Sequence, residues 1–191
     1  MQIEEAIIGR RSNFPVEFTG EKIQQHHIER MLELANWAPT HKRTEPWRFR
    51  VYEGDALNEL IDTISNLYVR FTPTEEFRPG FAEKMMSRKS SLSHLLIISM
   101  KRHESVPEFE EIASVSMAVQ NLWLYLASQS ELGGYWSSPS IVLSDAFHHE
   151  LNLESDERCL GLFYLGVLKE DGLITDGKRG DWREKVQWFK N

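Results

Sequence analysis

Apolar residues recur along this chain with two different periods, and the places where the period changes predict its elements. Ile3, Ala6 and Ile7 share one face of a short helix that stops near Arg10. From Thr19, an N-cap residue type followed by the acid Glu21, the positions Ile23, His27, Met31, Leu34 and Ala38 keep helical spacing until Pro39 ends the helix. Trp47, Phe49 and Val51 then alternate with Arg48, Arg50 and Tyr52, which predicts a half-buried strand. Leu57, Leu60, Ile61, Ile64 and Leu67 predict an amphipathic helix over 55–71, followed by the polar, proline-punctuated loop "FTPTEEFRPG". "HLLIISM" reads as a short buried strand. Residues 110–132 form the longest apolar-periodic segment and predict a central helix, with Gly133 and Gly134 placed to cap it. "SDERCLGLFYLGVL" predicts a second buried strand, in which Gly161 and Gly166 permit close backbone approach. No repeat, low-complexity stretch or linker interrupts residues 1–191, so the pattern predicts one α+β domain.

Composition narrows the functions. The net charge is −7, with 29 acids against 22 lysines and arginines, which argues against a general nucleic-acid or anionic-membrane surface. Any anion site must be a local cluster. The amino terminus "MQIEEAIIGRR" lacks the cationic start and apolar run of a signal peptide, and "CLGLFYLGVL" has about half the length of a membrane span. Cys159 is the one cysteine, so no internal disulfide can form. Together these predict a cytoplasmic protein that meets neither nucleic acid nor membrane.

Against that acidic background four cationic or polar clusters stand out, each with an ordinary alternative. Arg10, Arg11 and Ser12 can bind a phosphate through charge-assisted bonds, or the arginines can simply complement the end of a helix. "THKR", 40–43, places His41, Lys42 and Arg43 in one loop, where they could face an anionic ligand or only solvent. "LGGYWSSPS", 132–140, offers glycines for backbone approach to a planar ring, or a helix cap followed by a core tryptophan. Lys178 and Arg179 could close over the phosphate that Arg10 would hold, or form a solvated turn. "HHEL", 148–151, lacks the second half of a zinc-hydrolase motif, and no metal site is expected. No glycine-rich dinucleotide fingerprint or Walker loop occurs.

Singly these signals are weak, but their order is specific. The series "RRS", "APTHKRTEPWRF", a long central helix, "GGYW", "LGLFYLGVL" and "KRGDWREKVQW" resembles the FMN-dependent nitroreductase family, in its short branch, over nearly the whole chain. The resemblance implies an antiparallel-to-mixed central sheet wrapped by helices, in an interlocked homodimer with FMN at the subunit interface. It implies that Arg10 and Ser12 hold the FMN phosphate with help from Arg11, and that Arg179 or Lys178 adds a carboxy-terminal contact. His41 would reach the flavin from the partner subunit, with Trp37 and Arg43 near the ring. Trp136, Ser137 and Ser138 would line its other side. No side chain is expected to act as nucleophile or general acid, because the flavin carries the chemistry. The implied activity is ping-pong hydride transfer from NADH or NADPH, through FMN, to an electron-poor nitro compound, quinone or enone.

Two departures matter. Many members carry a cation two residues after the serine, beside the flavin N1–C2 carbonyl, and here that residue is Phe14. The short branch has an arginine where Trp37 stands, and Arg43 is the residue expected to replace the missing charge. These losses keep open a flavin carrier or redox-responsive regulator without turnover, and a phosphate-ligand module that binds no flavin. Residues 70–84 are the one stretch that could form a lid, and their aromatics could equally be packing.

Overall fold

A computed structural model describes residues 2–170 and 177–190. Its centre is a four-stranded sheet, β1 (Trp47–Glu53), β2 (His94–Lys101), β3 (Leu132–Ser137) and β4 (Glu157–Val167), in the order β1-β2-β4-β3. Every pairing is antiparallel. The inner pair, β2 and β4, is apolar almost throughout, as strands covered on both faces must be. Six helices surround the sheet: α1 (Ile3–Gly9), α2 (Gln25–Ala35), α3 (Gly54–Phe71), α4 (Phe81–Met86), α5 (Glu108–Ser128) and α6 (Asp145–Glu150).

Alternation along β2 divides the core in two. Leu95 and Ile97 join Leu162 and Tyr164 beneath α3, α4 and α6, while Leu96, Ile98 and Met100 join Phe163 and Leu165 beneath α2 and α5. Each such side chain, fully removed from water, contributes about 1.5–3 kcal/mol. Between Ile98 and Ser99 the register slips, and opposite the slip Gly161 has φ +137°, a backbone form costly for other residues.

Three sequence expectations need correction. Gly133 and Gly134 do not cap the central helix: α5 ends at Ser128, and both glycines lie in β3, paired with Gly166 and Leu165. They are required because their space is taken. A Cβ at Gly133 would stand 2.8 Å from the Phe18 ring, and one at Gly134 would stand 2.5 Å from the Phe163 ring. The helix expected from Thr19 begins at Gln25; Thr19 instead accepts a bond from the Glu21 amide, and the following stretch runs extended to bury Ile23. Val51 is exposed rather than buried, at the edge of the sheet that β1 forms. The expected strands at 94–100 and 155–168, and the helix at 55–71, are present with ends moved by one or two residues. The stretch at 70–84 is packing rather than a free flap, since Phe77 and Phe81 lie 5.2 and 4.1 Å from the Tyr68 ring.

Candidate functional site

The end of α1 delivers Arg10 and Arg11 onto the flank of α5. The Arg10 guanidinium lies 4.4 Å above the Trp123 ring, and the Trp123 indole N–H donates to the Arg11 carbonyl at 3.1 Å. Next, the Asn13 amide donates to the Gly134 carbonyl at 3.0 Å, which runs the segment along the outer edge of β3. Residues 17–19 then pair with the end of β4 through the Phe18–Leu168 bridge. Trp123 was silent in the sequence, one aromatic among many on an apolar helix, yet it fixes the two arginines.

The carboxy-terminal segment returns to the same place. The Gly177 backbone presses on Arg11, for a Cβ there would come within 2.7 Å of the guanidinium carbon. Arg179 follows, and its guanidinium donates to the Lys178 carbonyl at 2.8 Å. Burial, then repulsion by Arg179, then repulsion by Arg11, weaken the hold of Arg10 on its proton. Arg10 also has a buried nitrogen, Nη1, with no hydrogen-bond partner among the described residues. Converging like charges and an orphaned buried donor are costly without an anion to answer them. Beside this cluster lies a cavity of about 370 Å³, with Arg11, Asn13, Trp123, Gly133 and Lys169 among its walls. Ser12 sits exposed between Arg11 and Asn13.

Other expected site residues are placed elsewhere. Trp136 is half-buried at the far end of β3, and its indole N–H donates to the Leu160 carbonyl at 3.2 Å. Ser137 and Ser138 follow at the strand's exit. Trp37 lies just past the end of α2 with 80% of its surface exposed, beside Ile3, Asn121 and Tyr125. His41, Lys42 and Arg43 form a short 3-10 turn held against the start of α5, where His41 Nδ1 pairs with Glu110 and Lys42 Nζ donates to the Ser105 carbonyl at 3.0 Å. Glu110 and Trp123 lie on the same helix, separated by about 20 Å at the usual rise per residue. Within one subunit, therefore, the His41 turn and the arginine cluster stand well apart along α5.

On the opposite face of the sheet, Phe14 packs at 4.7 Å from Tyr135 in a cavity of about 600 Å³. Lys84, Arg88 and Lys169 supply this cavity with positive charge. Arg88 donates to the Tyr164 hydroxyl at 2.6 Å, and burial pushes that phenol up to about 12, so it stays neutral. Sequence reading missed these cations because residues 81–91 fold as a short helix and turn with no strong periodicity.

Cys159 is buried, and burial pushes its thiol up to about 11, which leaves it protonated and inert. The described residues contain no cluster of metal-ligand side chains and no helix long and apolar enough to cross a membrane.

Known proteins share this fold. The chain is 28% identical over 158 residues to "Putative NAD(P)H nitroreductase YfhC" of Bacillus subtilis (strain 168), covering 80% of this chain and 78% of that one. It superposes with a TM-score of 0.84 and 25% identity on the nitroreductase-like family protein from Bacillus cereus, over 100% of this chain and 97% of that one. The FMN-dependent nitroreductase NfnB from Mycobacterium smegmatis, solved in complex with NADPH, gives a TM-score of 0.75 at 16% identity, a likeness of fold, over 98% of this chain and 97% of that one. The nitroreductase family model matches residues 7–167, a span that runs from α1 through β4, and the chain belongs to the nitroreductase family.

Proposed function

We propose that this protein is a homodimeric, NAD(P)H-dependent FMN oxidoreductase of the cytoplasm. The observation that carries the proposal is the convergence of Arg10, Arg11 and Arg179 around a buried Arg10 nitrogen that has no partner among the described residues. That is the donor set a phosphate fits: one partly buried guanidinium with two more charges beside it, in a chain of net charge −7. Relatives named as NAD(P)H nitroreductases, and a neighbour of the same fold solved with NADPH, support the same chemistry.

In this proposal Arg10, Arg11 and Ser12 hold the FMN phosphate, with Arg179 and Lys178 closing from the tail. Trp136, Ser137 and Ser138 bound one side of the ring. When bound, FMN supplies the hydride acceptor and donor that the protein itself lacks. His41 and its neighbour Arg43 stand about 20 Å along α5 from their own subunit's arginines, so they serve the site of a second copy, whereas Trp37 lies nearer those arginines, beside Ile3, Asn121 and Tyr125. Ile3, Ile7 and Ile8 of α1 and Trp182, Trp188 and Phe189 of the tail are exposed apolar residues suited to such an interface. The positive charge that Phe14 does not supply comes from Lys84, Arg88 and Lys169 around it, which favours negative charge developing on a ring placed nearby. The acceptor is an electron-poor small molecule, a nitro compound, quinone or enone.

The test is a visible absorption spectrum of the purified protein, recorded before and after anaerobic addition of NADH or NADPH. Flavin bands that bleach rapidly on addition are expected. Colourless protein would refute the cofactor, and bands that persist with both nicotinamides would favour a carrier, the second reading that the Phe14 substitution supports.

A further inference from the structure

The first turn of α5 carries three carboxylates, and each is engaged by a different part of the chain. Glu108 pairs with Arg158 at the start of β4. Glu111 is buried and pairs with Arg102 and His103 just after β2. Glu110 pairs with His41. The first two tie together elements of the fold. Glu110 binds the one histidine of the cationic turn that the proposed function places at the partner subunit's flavin.

That turn would not hold its shape unaided. Lys42, Arg43 and Glu45 have φ of 52°, 56° and 44°, in the left-handed region that is costly for a residue with a Cβ. Such a segment persists only where its surroundings over-determine it. Here the constraints include the Thr40 hydroxyl, which accepts from the Glu45 amide at 3.2 Å, the Arg48 bond to the Glu45 carbonyl at 2.9 Å, the Lys42 bond to the Ser105 carbonyl, and the Glu110 pair. Of these, only the Glu110 pair engages a ring nitrogen that could also meet a ligand.

From this geometry we propose that Glu110 is a positioning residue for His41. Its carboxylate accepts only, so the proton of the bonded ring sits on Nδ1, and Nε2 faces away from α5 toward the ligand. About half of the His41 side chain is exposed, which leaves Nε2 open. The ring nitrogen that meets the flavin edge, and its angle, are thus set from the start of a helix whose far half holds the arginine cluster of its own subunit. The proposal rests on the flavin reading for what Nε2 meets. The hold of Glu110 on His41 can be tested apart from it.

The experiment compares Glu110→Ala and Glu110→Gln in full-length purified protein labelled with 15N-histidine. Ring-nitrogen correlation spectra report the tautomer of His41, assigned with His41→Gln. Wild type should show a protonated, hydrogen-bonded Nδ1. Glu110→Ala should lose that signature, and Glu110→Gln should keep it, since the amide oxygen still accepts from Nδ1–H. In the same variants, reoxidation of pre-reduced bound flavin by a quinone should slow about tenfold for Glu110→Ala and recover most of the way for Glu110→Gln. An unchanged His41 spectrum in Glu110→Ala overturns the proposal. A changed spectrum with unchanged reoxidation overturns the part that places Nε2 at the flavin. Wild type that binds no flavin but shows the Glu110-dependent spectrum would sink the proposed cofactor and leave the positioning contact standing.

Discussion

The two inner strands and the cationic segments of this protein are built on opposite terms. β2 and β4 are complete within one chain: their side chains are covered on both faces, and even their glycines are demanded by neighbours in the same subunit. The segments at 10–12, 40–43 and 177–190 carry their charges at the surface, and Arg10 has a buried donor with no partner among the described residues. The inner strands are satisfied alone, and the site is not. Substitutions in the first region should change stability without regard to ligand, and those in the second should change ligand binding with little effect on the empty protein.

Gly166→Val is the strongest test of the first half. Its Cβ would fall 2.3 Å from the Phe18 ring carbon, with two further ring and Cβ contacts, and Gly166 sits between paired strands that cannot move apart. A loss of about 3 kcal/mol, the upper end for overpacking, is expected, read as a drop of roughly 10 °C in thermal unfolding. A fully stable variant would mean that the β3–β4 edge is looser than its contacts suggest.

Arg10→Ala tests the second half. Removing one charge-assisted bond to phosphate should cost about 1.5–3 kcal/mol of FMN affinity, seen by titrating FMN into stripped protein. The stripped protein should unfold at nearly the wild-type temperature, because Arg10 is repelled by Arg11 and Arg179. Equal losses in affinity and in stability would erase the distinction between the regions. Ser12→Ala should have a smaller effect, about 0.5–1.5 kcal/mol of the same affinity, as one neutral donor is lost.

The smallest expected effect concerns pH. His94 is buried beside Ser93, and burial holds its pKa below the usual histidine range, with Glu53 opposing and Lys22 assisting that shift. Its folded form therefore prefers the neutral ring. Stability from this site is present above the unfolded value near 6.5 and is lost as pH falls below it, where the unfolded chain takes up a proton first. Denaturant unfolding between pH 7.5 and 5.5 should show that decline, and His94→Gln should flatten it.

How much of this was legible beforehand follows from how each part is stabilised. β2, β4 and α3 could be read because a continuous apolar run or a clean 3.6-residue spacing sets them locally. β3 was hidden, since two glycines after a long helix look the same whether they end it or make room for Phe18 and Phe163. The start of α2 was misplaced because Ile23 is buried from an extended segment that happens to keep helical spacing. At the site, Arg10, Arg11 and Arg179 were legible as charges, but their meeting depends on Trp123 and Gly177, which carry no signal of their own. Lys84 and Arg88 were missed because short helices and turns leave no period to follow.

The solitary thiol has a practical consequence. Cys159 is the one cysteine in the chain, and it is buried and held protonated. Maleimide and disulfide reagents should therefore leave the native protein untouched. A cysteine introduced at an exposed position away from the site, such as Glu59 on α3, would react alone, with no background to subtract. Spin labels attached there would place one probe on each copy of the chain, and the distance between two probes would reveal how the copies are arranged.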